Sequence, residues 1–147
     1  MDKKKIINPV CSVTMRLLKS EDLNHHGTLF AGRTAEWFVE SGFIAAANLL
    51  DPQNVVCLNI HGMLFTKPAK SGEVLKFSSK IIYAGKTSLT AYVHVNKQGM
   101  DKPLVDGFVT FIHVDEKTRP APHLIEIVPL TGEDKVLYTT AENLREV

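Results

Sequence analysis

LFAGRTAEWFVESGFIAAANLL, residues 29–50, is the stretch on which the fold of this chain turns. Ala35, Phe38, Val39, Gly42, Ala45, Ala46 and Leu49 recur at steps of three and four residues, so one apolar face runs along a helix from about Leu29 to Leu50. Asp51-Pro52 stops it, because the residue before a proline is pushed out of the helical region. The helix is rich in small residues, among them Gly42, Ala45, Ala46 and Ala47, which let a sheet approach closely.

The flanks read as strands. Ser12–Leu18 alternates as a first strand, and Ser20–Gly27 is a polar loop rich in turn formers. Beyond the helix, β-rich runs at Val55–Phe65, Val74–Tyr83, Leu89–Asn96 and Leu104–Val114 are separated by turns at Lys70-Ser71-Gly72, Ala84-Gly85-Lys86 and Gln98–Pro103. That spacing predicts an antiparallel meander, with Pro120 and Pro122 ending the regular region and a short helix in the tail after Thr131. One long helix and about five antiparallel strands make an α+β fold, with residues 1–147 as a single domain. Long β-rich edges tend to pair with a second copy, so a homodimer or higher homo-oligomer is expected.

Composition narrows the function. Lys and Arg number 17 against 16 Asp and Glu, for a net charge of +1, so no global field points to nucleic acid or to a membrane surface. The basic start MDKKKII is interrupted by Asn8 and Pro9 before any apolar run reaches leader length. No stretch has the roughly 18 apolar residues of a membrane span. Cys11 and Cys57 have no CxxC spacing, which argues against a disulfide framework or a zinc knuckle and makes the cytoplasm the expected compartment.

The densest cluster of polar groups is Asp22–Gly32, just ahead of the helix. Free N–H groups at a helix start favour an anion or a polarised carbonyl oxygen, and the Asn24 amide could donate to the same oxygen or simply shape an Asx-turn. Adjacent histidines in an extended segment point to opposite sides, so His25 and His26 read as one exposed and one packed imidazole, not as metal ligands. His61, His94 and His113 lie singly in strands and read as structural. Glu36 and Glu40 stand one helical turn apart and could serve together as base and charge partner. Gly85, Lys86, Thr87 and Ser88, with Lys67 and Lys70, make a small cationic, hydroxyl-bearing patch of the kind that suits phosphate. No P-loop, GxGxxG or GxSxG is present.

In order, these pieces are Asn24-x-x-Gly27-x-x-Phe30-Ala31-Gly32, a long helix, Phe65-x-Lys67-Pro68-x-x-x-Gly72-Glu73, Gly85-Lys86-Thr87-Ser88 and Phe108-Val109-Thr110-Phe111-x-x-Val114-Asp115. The collinear set, over roughly Thr14–Pro122, resembles the hot-dog acyl-CoA thioesterases of the acyl-CoA hydrolase branch. The resemblance implies a sheet wrapped around one central helix and sites formed between two subunits. It also implies hydrolysis of an acyl-CoA thioester with no metal or organic cofactor. By that resemblance Asn24 and a helix carboxylate, Glu40 or Glu36, act on the attacking water. His26, Gly27, Thr28, Phe30, Ala31 and Gly32, with Lys67, Gly85, Lys86, Thr87 and Ser88, contact the substrate, the last group near the CoA phosphates. Two positions depart from the pattern. Ala31 replaces the first glycine of the usual pair, and the usual position of the acid, seven residues after the second glycine, holds Val39, with Glu40 next and rotated by about 100°. An enoyl-CoA hydratase or dehydratase that pairs His26 with a helix acid, and an acyl-CoA-binding module without catalysis, are the alternative readings.

Overall fold

The computed structural model describes residues 3–144, so Met1 and Asp2 of the basic start, and residues 145–147 at the other end of the expected domain, lie outside the described residues. In chain order the elements are β1 (Lys5–Ile7), β2 (Ser12–Leu17), α1 (Ala31–Ala47), β3 (Val55–Ile60), β4 (Val74–Ala84), β5 (Ser88–Lys97), β6 (Val105–His113), β7 (Ile125–Ile127) and α2 (Gly132–Leu144).

The central helix is shorter than its periodicity predicts. Leu29 N–H donates to the Ala69 carbonyl (2.8 Å) and Phe30 N–H to the Asp22 carbonyl (2.9 Å), so both residues stay extended and α1 begins at Ala31. Its buried stripe is Thr34, Trp37, Phe38, Ser41, Gly42, Ala45 and Ala46. Ala35 and Val39, assigned to the apolar face from the sequence, are only half buried, because Trp37 and two hydroxyl residues occupy the sheet side. Phe38 is completely buried, a burial worth about 1.5–3 kcal/mol. At Gly42 an added methyl would already touch Phe111 and Val93 at 3.4 Å, so the helix lies as close to the sheet as side chains allow. The buried Ser79 hydroxyl donates to the Ser41 carbonyl (2.7 Å), pinning the middle of α1 to β4.

Five strands wrap this helix in the order β2-β4-β5-β6-β3, all antiparallel, which is the hot-dog arrangement. The meander holds for β4-β5-β6, whereas β3 crosses to pair with β6, so β2 and β3 are the two edges. Strand β3 ends at Ile60, short of the expected Phe65. A bulge between Cys57 and Asn59 shifts its register, and Gly62 then adopts a φ of +105° that extended pairing does not tolerate. The chain still follows β6 loosely, through His61 N–H to Phe108 and Thr66 N–H to Leu104.

Regular structure does not end at Pro122. Strand β7 follows and pairs parallel with β1, Lys5 opposite Ile125 and Ile7 opposite Ile127, which closes the two ends of the chain on each other. The tail helix α2 packs on the outer face of the sheet, where Tyr138 meets Tyr83 edge to face at 5.1 Å and Ala141 is buried. Lys80 of β4 and Asp134 of α2 form an ion pair at that seam. Among the described residues, no helix is long and apolar enough to cross a membrane.

Candidate active site

The loop ahead of α1 is built on Asn24. Its side-chain oxygen accepts from the N–H groups of His26 (2.9 Å) and Thr28 (3.2 Å), and its side-chain amide donates to the Thr28 hydroxyl (3.1 Å). Gly27 turns the chain at φ +79°, a conformation that costs a residue with a Cβ about 1–2 kcal/mol. Buried Asp22 anchors the base of the loop: its carboxylate accepts from Lys19 N–H (2.9 Å) and faces Arg33 Nε at 3.3 Å. Thr28 forms a bridge with Lys70, so the loop is laid against the segment that carries Lys67 and Pro68.

Where these pieces meet is a cleft of about 270 Å³. Asn24, Thr28, Ala31 and Thr34 form one wall, Phe65–Ala69 the other, and Leu75, Val95, Leu104 and Val105 an apolar floor. No side chain caps the helix. Ala31 and Gly32 therefore occupy its first two positions, whose N–H groups have no acceptor inside the helix. The Phe30 ring folds over Gly32; a Cβ there would sit 2.5 Å from that ring and push it aside. The cleft thus combines an apolar floor with amide donors at its mouth, which is what a carbonyl attached to an alkyl chain requires.

Of the residues singled out from the sequence, the cleft brings together Asn24, Thr28, Ala31 and Lys67. Thr34 and Thr66, which the sequence reading passed over, complete its polar rim. Their signals were faint: Thr34 sits one turn after Ala31, and Thr66 precedes Lys67. His25 and His26 are both exposed, with ring centroids 3.9 Å apart. The pair sits in a tight turn, so the expected opposition of one packed and one exposed ring does not arise.

Glu36 and Glu40 do not line the cleft. Glu40 is half exposed and bound to Arg16 of β2, whose guanidinium also lies 5.1 Å from the centre of the Trp37 ring. Glu36 is more exposed and faces Arg33 at 3.7 Å. Gly85 and Lys86 line a different cleft, together with His123 and Tyr138. Ten residues of strand separate Leu75, on the floor of the first cleft, from Gly85, a distance of about 30 Å. His61, His94 and His113 each have a partner: the Thr110 hydroxyl, the Asn96 side-chain oxygen and the Ala121 carbonyl.

The chain is similar to known proteins in both sequence and fold. A Bacillus subtilis (strain 168) protein described as an uncharacterized acyl-CoA thioester hydrolase is 27% identical over 124 residues, 82% of this chain and 71% of that protein. The crystal structure of an apo hexameric acyl-CoA thioesterase superposes with a TM-score of 0.83 at 29% identity, covering 92% of this chain and 88% of that one. A Staphylococcus aureus acyl-CoA hydrolase, solved with butyryl coenzyme A, coenzyme A and coenzyme A disulfide, gives 0.81 at 25% identity, covering 92% and 82%. Residues 26–103, more than half the chain and including most of the loop, α1 and the first cleft, match the thioesterase superfamily, and the chain is a member of that family.

Proposed function

We propose that this protein hydrolyses the thioester of an acyl-CoA, releasing a free acid and the CoA thiol. The observation that carries the reading is the placement of Asn24 and the uncapped start of α1 at the mouth of an apolar cleft. The acyl chain lies over Leu75, Val95 and Leu104, and the thioester oxygen sits against the N–H groups of Ala31 and Gly32. Water adds to the carbonyl carbon, the developing oxyanion is held by those donors, and the carbon–sulfur bond breaks to give the CoA thiolate, which takes up a proton.

The base that removes the proton from water is a helix glutamate, Glu40 or Glu36. Within one chain neither lines the cleft, and Gly85, Lys86, Thr87 and Ser88, the groups suited to the CoA phosphates, stand at the far end of the sheet. A second copy of the chain therefore completes each site, and the working unit is a homodimer or a larger assembly of dimers. The exposed apolar residues Val56, Leu58 and Ile60 on edge strand β3 support this. The free thiols of Cys11 and Cys57 support a cytoplasmic location.

Thiol release from a panel of acyl-CoAs tests the reading with wild-type protein, Asn24→Ala, Glu36→Gln and Glu40→Gln. Asn24→Ala should lower kcat by about a hundredfold, the usual cost of one donor in such a site. One of the two glutamate variants should fall at least as far. Glu36 is the freer carboxylate, since Glu40 is already bound to Arg16. Activity untouched by both glutamate changes overturns the base assignment. The position of both glutamates outside the cleft also favours a second reading, an acyl-CoA-binding protein without turnover. Ligand binding with no thiol release would decide for it.

A further inference from the structure

We propose that His123 is the positioning residue of the turn that receives the nucleotide end of the substrate, an inference that rests on the reading of Gly85–Ser88 as the CoA-binding segment. Three successive backbone carbonyls of that turn are held from one side by two histidine residues. Lys86 accepts from the main-chain N–H of His123 (3.3 Å), Thr87 from the main-chain N–H of His113 (2.7 Å), and Ser88 from the His123 ring at Nε2 (2.9 Å). The other ring nitrogen, Nδ1, accepts from Ile125 N–H (3.0 Å), so the proton must sit on Nε2 and the ring can only donate to Ser88. The imidazole is 9% exposed and lies 6.3 Å from that of His113, whose own Nδ1 bonds the Ala121 carbonyl.

This clamp uses up the carbonyls of the turn and leaves its side chains uncommitted. Among the described residues, the Lys86 ammonium and the Thr87 and Ser88 hydroxyls have no protein partner. Gly85 closes the turn by donating to the Ser88 carbonyl (3.0 Å), and any side chain at Gly85 would strike the Ser88 hydroxyl. One ammonium and two hydroxyls on a rigid turn make a phosphate-binding set. Gly85 and Lys86 of that turn border a cleft of about 520 Å³ that also holds Lys4, Glu126 and Tyr138. The clamping histidine lies 35 residues from Ser88 in sequence and touches none of the groups that handle the thioester.

Two substitutions separate positioning from folding. In His123→Asn the short side-chain oxygen takes the place of Nδ1 and keeps the Ile125 bond, but the Ser88 bond is lost. In His123→Gln the longer amide reaches both partners. By calorimetry on the full chain, CoA should bind about tenfold more weakly to His123→Asn and within about threefold of wild type to His123→Gln, the scale set by one lost hydrogen bond to a partly buried carbonyl. KM for acyl-CoA should rise with that Kd while kcat stays within about twofold, and turnover of an acyl-pantetheine, which lacks the nucleotide, should be unchanged in both variants. Unaltered CoA affinity in His123→Asn overturns the proposal. So does an equal loss on both substrates, because that is the mark of a merely structural residue. If wild-type protein releases no thiol from any acyl-CoA, the thioesterase reading fails, and the CoA affinities alone still decide the role of His123. Imidazole nitrogen shifts of wild-type protein give a measurement that needs no variant: CoA must move the His123 signals, and signals that stay in place overturn the proposal.

Discussion

Burial holds the His123 imidazole below its usual pKa of 6.5, with the charge of nearby His113 adding to the effect, even though the Ser88 carbonyl pulls the other way. Burial lowers His61 as well. The unfolded chain therefore binds more protons than the folded one as pH falls from about 7 through these lowered values, and stability declines over that window. Above the ordinary histidine value the contribution is complete. Thermal melts between pH 7.5 and 5 should thus show a falling Tm, and the slope should be shallower in His123→Gln, which has nothing to titrate there. A Tm that rises on acidification would contradict the buried, Nε2-protonated ring. At this scale the sequence was legible where chemistry is local: Asn24, Gly27 and Thr28 form their turn from contacts within four residues. His123 was illegible, because a lone histidine after Pro120-Ala121-Pro122 carries no pattern and gains its role only from a partner 35 positions away.

Helix α2 is joined to the sheet by a small apolar cluster around Ile82, Tyr83 and Ala141 and by the Lys80–Asp134 pair, whose side chains are 20% and 10% exposed. Removing one member of such a pair leaves a charge half out of water. Asp134→Ala should cost about 2–4 kcal/mol in urea unfolding, whereas replacing both residues together, as in Lys80→Met with Asp134→Leu, should recover most of it. If the double variant is as unstable as the single one, the pair is not what seats the helix. The longer elements were found, α1 from its three- and four-residue steps, although its start and part of its stripe differ, and β4 and β5 as β-rich runs between turns. Strands β1 and β7, three residues each, are too short to show one. The overreach of β3 came from a β-rich composition that persists past Ile60, while the bulge and Gly62 end the pairing for geometric reasons that hydrophobicity does not encode.

For the molecule as a whole, the two clefts open at opposite ends of one sheet, so assembly and activity should fail together. Leu58 on edge strand β3 is 62% exposed, and a charge there leaves the monomer's core untouched. Leu58→Lys should melt close to wild type, yet light scattering should show a smaller particle and thiol release should collapse. Full activity in a particle of unchanged mass would place the interface elsewhere. Fold and family were readable because they rest on motifs spread along the chain. The pairing of loop with carboxylate was not, because side chains one helical turn apart on α1 need not face the loop, and neither Glu36 nor Glu40 lines the cleft that Asn24 borders. The parallel clasp of β1 with β7 sets a schedule for biosynthesis. Lys5 leaves the ribosome first, yet its partner Ile125 is made 120 residues later, so the nascent chain can wrap its helix well before its ends can lock. The wall that joins Lys4 to the histidine clamp then matures after the acyl cleft, and a chain interrupted during translation before Ile125 would carry the acyl cleft without it.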